Sequence, residues 1–398
     1  MSTTERVSRK GFLLVGALLT LAALALGSVR FARADWTGIP LDRWPDGMQL
    51  RVGPARCHED IPPYTTETGR VIHGLVVDEE QYLSIVELRR GVPRDELAAK
   101  CLYSPFTDRP AVTWIAHFIP GDEGVALSAV NLVMMVAAVW ALLAAIRAAG
   151  VGPFALAVAG TLAVVNFNTL MSGSGLLIEP PALLFAALAW WFLQRRREWL
   201  LVPLIFFAVA FKEPLVVLLI PIWLWARAER SRGRAASATW LPALASTVAL
   251  AAGAFAAMRW STPADATWPA NINLSLLLGN LTDPVGIVAF ALATVPLGLP
   301  AFLRIRDMRR EQHAEPDVRH PLLATLLDPA VAGVAVAVVL CVYAAATADL
   351  SPRIAWVGFP FAATLAAQWV DRRVGSPGPA GRGGRAGIAD RIDRSLSQ

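Results

Sequence analysis

The sequence predicts an all-α polytopic membrane protein, a bundle of about ten transmembrane helices with a long first external loop carrying short amphipathic helices. Three observations carry this expectation. The 398-residue chain is 55% hydrophobic and only 17% charged, with a mean hydropathy of +0.49, too apolar for an ordinary soluble domain. Apolar runs of about 18 residues or more, long enough to cross a bilayer as a helix, recur along the chain. The arginines cluster between those runs, where positive charge orients a membrane protein. That clustering accounts for the net charge of +5 without invoking nucleic acid, for which no motif is present. No tandem repeat is found.

Residues 1–10 read as a cytoplasmic N-terminus with Arg6, Arg9 and Lys10, and 11–29 as the first transmembrane helix. Ala32-Arg33-Ala34 resembles a signal-peptidase site, so cleavage is an alternative. The apolar run exceeds the usual h-region of about 7–15 residues, which favours an uncleaved span. Residues 30–124 form an external loop with an acidic motif. Its first half (36–70) is rich in Pro, Gly, Asp and Arg and reads as irregular. Leu75–Arg90 turns helical, with Asp78, Glu79 and Glu80 at its start and Tyr82, Ile85, Val86 and Leu88 as an apolar stripe. Such a helix is expected to lie along the membrane surface. Arg94–Leu102 reads as a second short helix, and Tyr103–Pro110 as a turn-rich strip.

Residues 125–370 form the transmembrane bundle, with spans at 125–146, 152–170, from Glu179-Pro180 to Arg195, 240–258, 285–302, 330–346 and 354–370. Between them, Trp199–Phe211 and Leu215–Ala226 are two short apolar pieces split by Lys212-Glu213-Pro214. A single long helix there would put Arg195–Arg197 and Arg227–Arg234 on opposite sides of the membrane, against the positive-inside rule. A hairpin turning at Pro214 keeps both basic runs on one side. Each arm is then about 20 Å long, short of a ~30 Å hydrocarbon core, so its polar tip sits below the outer surface. Residues 371–398 read as a disordered basic cytoplasmic tail, Gly- and Pro-rich. Both termini are expected in the cytoplasm, of a bacterial plasma membrane.

Alternating these spans sends every arginine run to the cytoplasmic side and every isolated polar motif outside: Asp78-Glu79, Asp108-Arg109, Glu179, Lys212-Glu213, Asp349 and Arg353. Ionisable residues at membrane depth are costly and mark functional sites. Carboxylates and cations together at the outer face suit a lipid phosphate. Lys212, Arg353 and Arg109 would bind the phosphate, with arginine offering bidentate contacts. An aspartate would take a proton from an incoming hydroxyl. Alternatively, a carboxylate pair, Asp78 with Glu79, would hold a divalent metal, Mg or Mn.

Structural readings stand beside these. Asp78-Glu79-Glu80 also suit a helix N-terminus. Lys212-Glu213 also suit a solvated tip, Arg353 a snorkelling side chain, and Glu179 a cap for the helix that Pro180 starts. Arg109 also suits a simple pair with Asp108. His58, His73 and His117 lack metal-ligand spacing, and Trp114, Trp199, Trp260, Trp268 and Trp356 read mostly as an interfacial belt. Cys341 falls in an apolar span. Cys57 and Cys101 share the external loop, where a disulfide is permitted by the redox compartment.

Asp78-Glu79-x-x-Tyr82 in the first external loop, followed by Gly91, Tyr103 and Arg109-Pro110, resembles the opening of the GT-C glycosyltransferases. The nearest flavour is the protein-O-mannosyltransferase and lipid A aminoarabinose transferase group, with related bacterial mannosyl- and arabinosyltransferases. Glu179-Pro180 opening a span, Lys212-Glu213 at a hairpin tip and Arg353 with Pro360 in the last span follow in the same order. The resemblance implies a GT-C-like bundle that moves a sugar from a polyprenyl-phosphate donor to an external glycan, lipid or protein acceptor. It implies Asp78 as catalytic base and Glu79 as its support or a metal ligand. Lys212 and Arg353, with Arg109, would bind the donor phosphate, and Tyr82, Glu179 and Glu213 would be supporting polar residues. A transporter or flippase, or a non-catalytic assembly partner, is the alternative.

Overall fold

The computed structural model describes residues 7–32, 64–65, 71–72, 77–97, 99, 101–104, 106–173, 175–231, 240, 243–250, 264–267, 272–314, 320–347, 350 and 352–374. Over these the chain is an all-α membrane protein. Four helices are long and apolar enough to cross a bilayer: α1 (Arg9–Ala32, apolar over Arg9–Ser28), α4 (Glu123–Ala148), α12 (Pro284–Ala314) and α14 (Pro329–Thr347). Shorter apolar helices pack among them, including α5 (Pro153–Val164), α7 (Pro180–Gln194) and α8 (Leu201–Phe211).

In chain order the remaining elements are β1 (Tyr64–Thr65) and β2 (Val71–Ile72), α2 (Val77–Arg89), β3 (Tyr103–Ser104) and α3 (Pro110–His117). Then come α6 (Phe167–Ser172), α9 (Leu219–Ser231), a helical segment α10 (243–250), β4 (Ala266–Thr267), α11 (Leu274–Asn280), α13 (Pro321–Leu326) and α15 (Phe359–Val374).

Several spans differ in detail from expectation. The run 152–170 is two helices: Asn166 is extended, and its side chain caps α6 by accepting from the Thr169 N–H, which ends α5. The last span begins as a 3₁₀ turn, Pro352–Gly358, before α15. α12 runs on beyond Phe302 through Arg304–Ala314. That stretch is rich in good helix formers, so the backbone continues where hydropathy falls. The span 240–258 is described only at 240 and 243–250, where the latter stretch is helical.

The hairpin is present. Lys212 is extended (φ −160°, ψ 109°), Glu213–Leu218 winds as a 3₁₀ turn, and α9 returns. An ion pair at 3.3 Å from Arg196, just ahead of α8, to Glu229, near the end of α9, closes the open end of the hairpin. Other contacts gather the arginine-bearing ends. Arg147 donates to the Val7 carbonyl, Asp371 accepts from the Gly152 N–H, and Glu311 binds both Arg304 and Arg372. Glu179 and Arg195 flank opposite ends of α7, and Arg353 and Asp371 opposite ends of the last helix. The bundle is therefore polarised, with arginine runs at one end and the isolated ionic residues at the other.

α2 corrects an expectation. Instead of lying on a membrane surface it is buried nearly all round, with Leu83, Ser84 and Val86 fully enclosed. Its polar side chains clip a neighbouring strand of chain. Gln81 donates to the Cys101 carbonyl and accepts from the Tyr103 N–H, and Ser84 accepts from the Ala99 N–H. These bonds explain why the described residues of 94–102 do not form the expected helix. The Ala99 N–H and the Cys101 carbonyl are taken up by α2 side chains, and the Leu102 N–H by the Asp265 carboxylate. β3 then pairs in parallel with β4, so the later polar loop is stitched to the first. α2 ends at Gly91, whose φ of +93° suits glycine. Arg90 anchors that end by donating to the carbonyls of Ile119 and Gly121.

Two glycines set the closest approach between α14 and the last helix. A Cβ on Gly333 would lie 2.3 Å from the Phe361 ring, and one on Gly358 would lie 2.5 Å from the Ala337 Cβ. Trp190 on α7 donates to the Thr364 hydroxyl of α15 at 2.9 Å. Trp356 is fully buried, contrary to its reading as a belt residue, whereas Trp114 and Trp199 are exposed; Trp260 and Trp268 lie outside the described residues. Cys341 is free and buried, and Cys101 is disulfide-bonded. Cys57, its expected partner, lies outside the described residues, as does Asp349.

Candidate functional site

Five separate pieces of chain deliver ionic side chains to one place. Asp78 and Tyr82 sit four residues apart on α2, hence on the same helix face. Arg109 precedes α3, Glu179 precedes α7, Lys212 and Glu213 form the hairpin tip, and Arg353 opens the last 3₁₀ turn.

Their contacts form a near-continuous network. Arg353 donates from Nη2 to Asp78 Oδ2 at 2.6 Å, and its Nε lies 3.8 Å from Glu179 Oε1. The same Glu179 oxygen accepts from Lys212 Nζ at 2.7 Å. The next residue, Glu213, takes Arg109 in a bidentate grip at 2.5 and 2.6 Å. Arg109 also donates to the Tyr82 hydroxyl at 2.8 Å. Three carboxylates (Asp78, Glu179, Glu213) thus balance three cations (Arg353, Lys212, Arg109).

The pairs are unequally held. The Lys212 and Glu179 side chains are 9% and 5% exposed, so this pair is nearly dry. Arg109–Glu213 is bidentate, the stronger geometry for a guanidinium and a carboxylate. Asp78 and Arg353 meet at one short contact, and Arg353, 20% exposed against 12% for Arg109 and 9% for Lys212, is the cation most accessible to a competing anion. Glu179 Oε2 is buried with no hydrogen-bond partner among the described residues.

Tyr82 is fully enclosed and Arg109 largely so. Burial pushes the Tyr82 phenol above its ordinary value, Arg109 opposes this, and the charges of Asp78 and Glu179 reinforce it, so the phenol stays protonated. Burial alone would lower the Arg109 value, but Glu213 and Tyr82 outweigh it and hold the guanidinium charged, well above its usual range.

The structural readings weighed from the sequence fare differently. Arg353 pairs with Asp78 inside the protein instead of snorkelling. The Glu179 side chain makes no capping hydrogen bond to α7 and turns to Lys212. Arg109 engages Glu213 across the site. The suggested metal pair, Asp78 with Glu79, does not fit a divalent ion. Consecutive helical residues point in different directions, Asp78 is bound by Arg353, and no group of three or more His, Cys, Asp or Glu that would hold a metal occurs among the described residues.

Two residues that the sequence reading passed over support the network. Asn131 on α4 donates from Nδ2 to the Gly175 and Leu177 carbonyls, both at 2.7 Å, in the segment leading to Glu179. Asn168 on α6 donates from Nδ2 to the Pro352 carbonyl at 2.8 Å, beside Arg353. An amide inside an otherwise apolar run was the available signal.

Fold and site together define an all-α membrane protein with a charge-balanced ionic cluster at one end of its bundle. Comparison with protein-family models, with curated proteins and with solved structures finds no match.

Proposed function

We propose that this protein is a GT-C-like membrane glycosyltransferase that moves a sugar from a polyprenyl-phosphate donor to a cell-envelope glycan, glycolipid or protein acceptor outside the cytoplasm. The observation that carries the reading is the convergence of Asp78, Arg353, Glu179 and Lys212, remote in sequence, into one connected set. Cations gathered at one end of an apolar bundle suit a phosphate whose lipid tail remains in the bilayer.

The part-buried Asp78–Arg353 pair gives the site an order of events. A donor phosphate competes for the Arg353 guanidinium and releases the Asp78 carboxylate. The acceptor hydroxyl oxygen then attacks the anomeric carbon of the sugar. The bond from that carbon to the phosphate oxygen breaks, polyprenyl phosphate departs with the bonding electrons, and Asp78 accepts the hydroxyl proton. Lys212 and Arg353 stabilise the charge that develops on the leaving phosphate. Arg109, gripped by Glu213 and Tyr82, contributes fixed positive potential to the site.

The test is sugar transfer in membranes supplied with labelled polyprenyl-phosphate mannose or arabinose. Asp78→Asn is expected to lower transfer by about 10²–10⁴-fold, the range for loss of a general base. Transfer unchanged by that substitution would sink the assignment of Asp78 as the base.

A further inference from the structure

From the hydrogen bonds of Asn131 and Asn168, we infer that these two buried asparagines are positioning residues that suspend the ionic cluster at a fixed depth in the bundle. The inference rests on the glycosyltransferase reading only for its consequence in donor binding.

Between α6 and α7 the described residues 175–179 are irregular, yet Leu176, Leu177 and Ile178 are buried. Carbonyls in such a segment have no helical partner, and within a membrane protein each needs one. The Asn131 amide satisfies two of them with one nitrogen. It reaches across from α4, a helix of 26 residues, and the second carbonyl belongs to a residue two positions before Glu179. The height of Glu179, and through it of Lys212, is therefore referred to α4. Asn168 does the same for Arg353 by holding the carbonyl of the preceding residue. Both side chains are almost completely enclosed, at 0% and 1% exposure, and each leaves its Oδ1 without a hydrogen-bond partner among the described residues. A leucine would avoid that desolvation penalty. What the amide adds is the donor; one donor ends two residues before Glu179 and the other on the residue before Arg353. Neither orientation is open to an amide flip, because every Nδ2 partner is a carbonyl.

The test uses the full chain in lipid nanodiscs. Hydrogen exchange is read for peptides covering 173–182 and 352–358. Asn131→Leu is expected to speed exchange in the first peptide by roughly tenfold, and Asn168→Leu in the second, with α12 and α14 unaffected. Asn131→Gln, which keeps the donor on a longer arm, should be intermediate. If Asn131→Leu does not fold, Asn131→Ala removes the donor without added bulk and carries the same expectation. Exchange unchanged at both peptides overturns the inference. Affinity for undecaprenyl phosphate supplies the second readout. A variant that only loses folded protein keeps the wild-type Kd in its folded fraction, whereas lost positioning raises Kd by about tenfold. A wild-type protein that fails to bind undecaprenyl phosphate counts against the donor reading alone, and the exchange measurement then decides the positioning. A wild type that binds it, with variants of unchanged Kd, counts against the asparagines.

Discussion

At the scale of single residues, the site is built from charges that cannot be removed one at a time without cost. Glu179→Gln leaves the Lys212 ammonium nearly dry and without its counter-charge, and breaking a buried pair in this way destabilises by about 3–5 kcal/mol. Replacing both partners, Glu179→Leu with Lys212→Leu, is expected to restore much of the melting temperature while leaving donor binding lost. Recovery of binding in that double variant would show that the pair serves stability alone. Tyr82 makes a pH prediction. Its phenol value is raised by burial from the ordinary 10.0. The stability this represents is complete below the unfolded-state value and is lost as pH rises beyond it, because the unfolded chain ionises first. Thermal melts taken above about pH 10 should therefore fall more steeply for wild type than for Tyr82→Phe. Equal slopes would mean that the phenol is not enclosed. From the sequence, Glu179, Lys212 and Arg353 stand out as ionic groups at the edges of apolar runs, and Asp78 as one of an acidic triplet in the first loop. Their pairings do not. Nothing in spacing connects Asp78 to a residue 275 positions away.

At the scale of elements, the close seam between α14 and the last helix depends on glycine at 333 and 358. Gly333→Val would drive a side chain into Phe361, and overpacking of this kind costs about 1–3 kcal/mol. A lower melting temperature with reduced transfer is expected, since the 3₁₀ turn that carries Arg353 leads directly into the helix that bears Phe361. A melting temperature equal to wild type would show that the seam yields. The elements themselves show where sequence reasoning succeeds. The hairpin at Lys212–Pro214 followed from proline and from charge placement, and the Arg196–Glu229 pair closes it. The burial of α2 was not legible, because an acidic start and an apolar stripe describe a surface helix equally well. Its Gln81 and Ser84 side chains take up backbone groups from residues 99–103, a long-range use of polar groups that leaves no periodic trace. The extension of α12 beyond the apolar run was missed because hydropathy reports the edge of an apolar stretch, not the end of a helix.

At the scale of the whole molecule, the described bundle has two chemically different ends, and in the proposed topology the ionic cluster faces away from the cytoplasm. Single cysteines at the exposed positions Asp95 and Arg310 report on this directly. An impermeant maleimide applied to intact cells should label Asp95→Cys and leave Arg310→Cys untouched until the membrane is opened; the reverse pattern would place the cluster on the cytoplasmic side. Four helices meet the length and composition of membrane spans, and shorter ones pack against them, so the membrane class was readable from hydropathy. The number of spans was less so, because several are broken by Asn166, Lys212 and Pro352 into pieces shorter than a bilayer. The central claim is that the cluster holds the phosphate of a polyprenyl lipid. Native mass spectrometry of the protein purified in its own lipids tests it most directly. Wild type should carry a polyprenyl phosphate, with or without sugar, that is lost from an Arg353→Gln, Lys212→Gln double variant. A wild type that retains no such lipid even when it is added, or a double variant that holds it as well as wild type, would contradict the account.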